Sequence, residues 1–229
     1  MTVAIMQPYF FPYIGYWQLI NAVDTFVIFD DVNYINKGYI NRNNILINGQ
    51  KQLFTLELIG ASQNKKIHEI QIGTNRNKLL KTIEITYKKA PYFQEIFPLI
   101  STILQYEEKN LAKFIGHSLE KISSYLNIDT RFIYSSEIDK QNLLTGEKKI
   151  INIVKLLEAK QYINSIGGQE LYDKKTFLNN GLELAFLQTE LRKYQQFNNT
   201  FIPYLSIIDI MMFNAIEDIR TMLNQYNLV

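Results

Sequence analysis

The chain has 229 residues, 47% hydrophobic and 13% aromatic, which is enough apolar material for one α/β domain with its own core. Its 24 basic and 22 acidic residues give a net charge of +2, and the lysine pairs at 65–66, 88–89 and 148–149 form no tract, which argues against nucleic-acid binding by phosphate neutralisation. The absence of cysteine removes disulfides, thiolate nucleophiles and Cys-ligated zinc, and the two histidines, His68 and His117, make no ligand motif, so no metal and no other cofactor is expected.

Residues 2–6 read as a short apolar strand. The first basic residue is Lys37, so the opening lacks the positive start and apolar run of a secretory signal, and the cytoplasm is the expected location. Pro8 and Pro12 punctuate a loop, 13–22 reads as a helix, and the β-branched and aromatic run 25–29 (TFVIF) reads as a second strand. Strand, helix and strand in that spacing make a right-handed βαβ unit. A polar, Asn-rich segment follows over 30–44, and then 45–47 and 52–58 flank Asn48-Gly49, a strong hairpin signal. Residues 67–72 are expected as a further strand.

From Asn75 the period changes to helical. Leu79, Leu80, Ile83 and Tyr87 make one stripe, ended by Pro91. Phe93, Ile96, Phe97 and Ile100 make a second, and Leu111, Phe114, Ile115, Leu119, Ile122 and Leu126 a third. Strands are expected at 131–134, 161–165 and 182–187, and helices at 145–159 (Thr145 as its cap), from 170 onward, at 206–213 and at 215–226. The longest late apolar stretch, 207–213, contains Asp209 and is too short to span a bilayer. The alternation predicts a single α/β domain over 1–229: a doubly wound, mostly parallel, Rossmann-like sheet with a helical insertion near 75–128. The oligomeric state is left open.

In open α/β sheets ligands bind beyond the carboxyl ends of the strands. That rule selects the segment after the first strand, with Gln7, Pro8, Tyr13 and Gly15. Here a helix amino terminus exposes backbone N–H groups, Gly15 permits close approach and aromatics can stack on a ring; alternatively, Phe10, Phe11 and Trp17 are core. It also selects the end of the second strand, where Asp30 or Asp31 is a candidate base and Arg42 an anion clamp, flanked by Asn41 and Asn43. A polar loop with an internal Asp–Arg pair is the alternative. Ser165, Gly167 and Gly168 can form an anion nest or simply a tight turn. Ser206 and Asp209 have capping-box spacing, and Pro203-Tyr204 steers them toward the cleft. His117 is expected as a buried side chain and His68 as a surface one.

These segments carry a resemblance. Residues 5–50, IMQPYFFPYIGYWQLINAVDTFVIFDDVNYINKGYINRNNILINGQ, resemble the amino-terminal signature of the WbqC-like family, and 86–98, 161–173 and 200–214 are similar to its later blocks. Many relatives have His where this chain has Met6; this chain resembles the branch with MQP. The resemblance implies a setting among O-antigen and capsule genes. That setting, together with the strand-end cleft, leads to the expectation of a transferase adding an acyl or aminoacyl group to a nucleotide-linked amino sugar, or else a non-catalytic module that binds a nucleotide-sugar or a partner of that pathway. The first βαβ unit is also similar in architecture to the HUP-type nucleotidylyltransferases. Residues 12–16 (PYIGY) fall where those enzymes carry HxGH, and both histidines are missing.

Overall fold

A computed structural model describes residues 1–141, 143–197 and 200–229. Its centre is a six-stranded sheet. The first strand, β1 (Thr2–Met6), leads through a two-proline loop into α1 (Ile14–Asn21) and back to β2 (Thr25–Ile28), which pairs parallel with β1 over four residues. A hairpin follows, β3 (Arg42–Ile47) and β4 (Gln50–Thr55), then a two-residue ladder of β5 (Leu58–Ile59) with β6 (Gln71–Ile72). Three helices, α2 (Arg76–Tyr87), α3 (Phe93–Gln105) and α4 (Leu111–Leu126), precede β7 (Arg131–Tyr134), which pairs parallel with β2. The chain then runs through α5 (Gly146–Leu156), β8 (Gln161–Ser165), α6 (Lys174–Asn179) and β9 (Glu183–Thr189). It ends with α7 (Ile207–Phe213), α8 (Ile216–Leu223) and β10 (Tyr226–Leu228), the last antiparallel to β9.

The strand order is β10-β9-β8-β1-β2-β7. It grows outward from β1 to β2 and β7, then returns to the other side of β1 for β8 and β9, as in a doubly wound, Rossmann-like sheet. Side-chain alternation assigns the faces. Ala4, Phe26 and Ile28 pack into a large core with α1, α2, α3, α4, α7 and α8, while Val3, Ile5 and Val27 pack with Ile150, Val154 and Phe177 of α5 and α6. Strands buried on both faces explain why β1 and β2 read as unbroken apolar runs. Between β1 and β8, where the order reverses, pairing covers only Thr2–Gln161 and Val3–Tyr162, so the strands part toward their carboxyl ends.

Several elements differ from expectation. Residues 67–72 form one 3-10 turn (Ile67–Glu69) before the short β6, because Lys66 and Glu69 bond reciprocally and close the turn. Thr145 precedes α5, but its side chain caps nothing. After β8 the chain makes a 3-10 helix (Ile166–Leu171), and α6 starts later, capped by Asp173, whose carboxylate accepts from the Lys175 and Thr176 N–H groups. The helix expected over 215–226 stops at Leu223, and the chain returns to the sheet as β10, a pairing set by a distant partner rather than by local pattern.

Candidate functional site

The loop after β1 is shaped by its carbonyls. Phe11 lies in the left-handed region at φ 43°, a conformation that costs a β-carbon-bearing residue energy and persists only where its surroundings impose it. Those surroundings come from far along the chain. The Asn43 amide donates to the carbonyls of Phe10 (3.3 Å) and Phe11 (2.9 Å), and the Ser206 hydroxyl donates to Phe11 O (2.8 Å). Pro12 O accepts from the Trp17 indole (3.1 Å) and from the Ile207 N–H (2.9 Å). Phe10 stacks on Phe54 of β4 at 5.2 Å between ring centres. Gly15 lies under the Tyr13 ring: a β-carbon there would sit 2.3 Å from Thr189 Oγ1 and 2.6 Å from the ring, so only glycine fits.

The pinned loop forms one wall of a cavity of about 270 Å³, lined by Tyr9, Pro12, Tyr13, Tyr39, Asn43, Lys51 and Tyr204. Two aromatic pairs contribute, Tyr9 with Tyr39 (6.2 Å) and Tyr13 with Tyr204 (6.1 Å). Tyr204, like Phe11, is an aromatic held at positive φ, 57°. Burial pushes the hydroxyls of Tyr9 and Tyr13 up from their ordinary value, so both are neutral donors in water near neutrality. Asn43 spends both amide protons on the loop and its oxygen on the Asn44 N–H (2.8 Å), so it shapes the cup rather than donating into it.

Of the sequence-selected residues, Tyr13 and Asn43 line this cup. Gln7 is half-buried, and its carbonyl accepts from the Tyr16 hydroxyl (2.8 Å). Pro8 is buried beside it. Asn41 accepts from Tyr34 (2.8 Å) and donates to Leu56 O (2.8 Å). Arg42 donates to the carbonyls of Gly38 (3.0 Å) and Lys37, fastening the loop that carries Tyr39. Ser206 caps α7 by accepting from the Ile208 N–H (3.2 Å). The other half of that capping box is absent: the Asp209 carboxylate turns away to accept from Tyr87 (2.9 Å), Tyr194 (2.7 Å) and Gln196 (2.8 Å). With only neutral donors on it, burial raises the Asp209 carboxyl above its ordinary value. Ser165, Gly167 and Gly168 lie at the end of β8 and in the 3-10 helix after it, and none of them lines the cup. A β-carbon on Gly168 would meet the Asn164 amide at 2.3 Å, whereas Gly167 has open space.

The two aspartates after β2 form a separate buried cluster. Asp30 accepts from Ser135 Oγ (3.0 Å), the Ser136 N–H (2.9 Å) and Ser136 Oγ (2.7 Å), and His68 Nδ1 lies 3.1 Å from its carbonyl. Asp31 accepts from Ser135 Oγ (2.6 Å) and pairs with both Lys140 and Lys149, each at 2.9 Å. Burial acts to raise the Asp31 carboxyl, but the Ser135 hydroxyl and the two lysines outweigh it and hold the group at about 2. Neither aspartate pairs with Arg42. His117, expected as buried, is half-buried with its ring stacked on Tyr106 at 3.8 Å.

The WbqC-like protein family model matches residues 7–221. The chain belongs to the WbqC-like protein family. It is 29% identical over 214 residues to the uncharacterized protein Rv1507c of Mycobacterium tuberculosis (strain ATCC 25618 / H37Rv), covering 91% of this chain and 92% of that one. No solved structure matches. Every residue lining the cup falls inside the WbqC-like span. Sequence reasoning did not select Lys51 or Tyr204 as site residues. Lys51 stands in an ordinary exposed strand, and Tyr204 owes its place to a backbone angle and a tertiary contact. Among the described residues no group of three or more His, Asp or Glu is placed to hold a metal ion, and no helix is long and apolar enough to cross a membrane.

Proposed function

We propose that this WbqC-like protein works in bacterial surface-polysaccharide assembly, O-antigen or capsule, and binds a nucleotide-linked amino sugar in the tyrosine cup. The observation that supports this is the cup itself: chain segments around residues 9–13, 39–51 and 204 converge on one cavity walled by four tyrosines. Aromatic faces cover the apolar side of a sugar ring while phenols donate to its oxygens, and the Lys51 ammonium can pair with a phosphate of its carrier. The ligand is a small molecule and the setting cytoplasmic, where nucleotide-linked sugars are at hand.

The lining favours a binding and presenting role over acyl or aminoacyl transfer. Transfer to a sugar amine requires a group that takes the amine's proton as the amide bond forms. Among the described residues no carboxylate or imidazole lines the cup, and Asp31, held at about 2 by the Ser135 hydroxyl and its two lysines, is unsuited to take a proton near neutrality. A thermal-shift panel of nucleotide-linked sugars tests the proposal. A cognate ligand at a hundredfold excess over its Kd stabilises by about 2.7 kcal/mol. That shift should vanish in Tyr9→Ala and Tyr204→Ala. No shift with any member counts against sugar binding. Turnover of a bound amino sugar to its acylated product would restore the transferase alternative.

A further inference from the structure

The size and chemistry of the cup narrow its ligand further. Its volume of about 270 Å³ falls below the roughly 300–1,000 Å³ of pockets that enclose whole drug-sized ligands. A sugar ring with one phosphate is of that scale, whereas the second phosphate, ribose and base of a nucleotide-linked sugar would extend past the mouth of the cup. Exposure gives the cup a direction. Pro12 and Asn43 are buried and Tyr9 and Tyr13 half-buried, whereas Tyr39, Lys51 and Tyr204 are exposed at the rim.

The free hydrogen-bonding groups are one-sided. Among the described residues, the hydroxyls of Tyr9, Tyr39 and Tyr204 make no hydrogen bond, and Lys51 makes neither a hydrogen bond nor an ion pair. Lys51 is the charged member of the lining, and no carboxylate faces it there. A site made of phenols and one lysine suits an acceptor-rich ligand carrying one anionic group beside a ring.

We infer that the cup recognises a glycosyl phosphate, its sugar ring inward against Tyr9 and Tyr13, its phosphate at Lys51 on the rim, and any nucleotide outside and unread. This deepens the proposed function and rests on it. Lys51 is then the residue that sets specificity for the phosphate. Affinity resides in the sugar and the first phosphate, so the carrier is interchangeable.

Isothermal titration calorimetry on the full chain separates the possibilities. The probes are a panel of hexose and amino-sugar 1-phosphates, their UDP- and dTDP-linked forms, the free sugars, and UDP and dTDP alone. For the sugar that binds, the 1-phosphate and both nucleotide-linked forms should agree within about threefold, while the free nucleoside diphosphates bind at least about tenfold more weakly. Lys51→Gln should weaken every phosphate-bearing form by about tenfold and leave the free sugar unchanged. The salt dependence of wild-type binding between about 0.05 and 0.5 M NaCl should largely disappear in that variant. Nucleoside diphosphates that bind as tightly as the nucleotide-sugars, or nucleotide-sugars that bind while their sugar 1-phosphates do not, would overturn the inference and leave sugar binding in place. So would a Lys51→Gln variant with wild-type affinity. If no probe binds, or Tyr204→Ala binds like wild type, the proposed function fails and this inference with it.

Discussion

Replacing Asp31 with Asn tests the charge cluster at the ends of β2 and β7. In the native protein the carboxylates of Asp30 and Asp31 balance the ammonium groups of Lys140 and Lys149, and all four residues are less than a tenth exposed. Asparagine preserves the shape and an acceptor for Ser135, but it leaves two buried lysines facing one carboxylate. Stranding a buried charge in this way costs about 3–5 kcal/mol. The Asp31 carboxyl gives a second measure: it lies at about 2 against an ordinary 3.8, worth about 2 kcal/mol of folding stability at about 1.36 kcal/mol per pH unit. Because the folded value is the lower one, that contribution is complete above about pH 4 and is lost as pH falls through 2, with about 1 kcal/mol gone by pH 3. Urea unfolding followed by the single, buried Trp17 reports the loss. With a slope of about 3 kcal/mol per molar for a chain of this size, a loss of 3 kcal/mol moves the midpoint by about 1 M at pH 7. The gap between wild type and variant should narrow at pH 3. A midpoint shift under about 0.3 M at pH 7, or a gap that does not change with pH, would refute the buried-cluster account.

Tyr204→Gly relieves a left-handed backbone and removes a side chain that is 56% exposed, so it should keep stability or raise it by up to about 1 kcal/mol while abolishing sugar binding; melting curves with and without ligand check both. Asn43→Ala strips the Phe10 carbonyl of its Asn43 donor and should cost about 1–3 kcal/mol in urea unfolding, with binding lost as the loop relaxes. The Asp209 carboxyl is raised in the fold, so its share of stability is present below about pH 4 and declines as pH rises through the folded value. Asp209→Asn should therefore flatten the stability profile on that side, and parallel wild-type and variant profiles between about pH 4 and 8 would count against it.

The parts of the fold that were legible in sequence are those governed by local pattern. The runs 2–6 and 25–29 are apolar because parallel strands are covered on both faces, and Asn48-Gly49 turns the hairpin with both residues at positive φ, 51° and 72°. What was illegible depends on distant partners. Residues 226–228 (YNL) have no strand signature of their own, and only pairing with β9 makes them one. The site divides in the same way. The two-proline loop and its aromatics were visible as a candidate, as were Asn43 and Ser206. Their task was not, because a side-chain amide bonds a ligand or a backbone carbonyl equally well, and only tertiary placement decides which. Lys51 had no local signal at all, and Tyr204 showed only as part of the Pro203-Tyr204 pair, not as a lining residue.

The hydrogen bonds around the loop explain why segments so far apart belong to one site. Phe10, Phe11 and Pro12 present three successive carbonyls in a turn that holds Phe11 at φ 43°, and a buried carbonyl without a donor costs about 1–3 kcal/mol. Asn43 and Ser206 supply side-chain donors and Ile207 a backbone one, while Ser206 N also bonds Asn44 O (2.8 Å), tying β3 to the start of α7. The conspicuous polar residues Asn43 and Ser206 thus fix the backbone that orients Tyr9 and Tyr13, and Arg42 does the same for the loop bearing Tyr39. A cup held this way is organised before any ligand arrives, which lowers the entropy cost of binding. It also leaves recognition to phenols and one lysine, so the selectivity of the site should follow from what those groups can touch rather than from the asparagines, serines and aspartates that dominate the sequence signature.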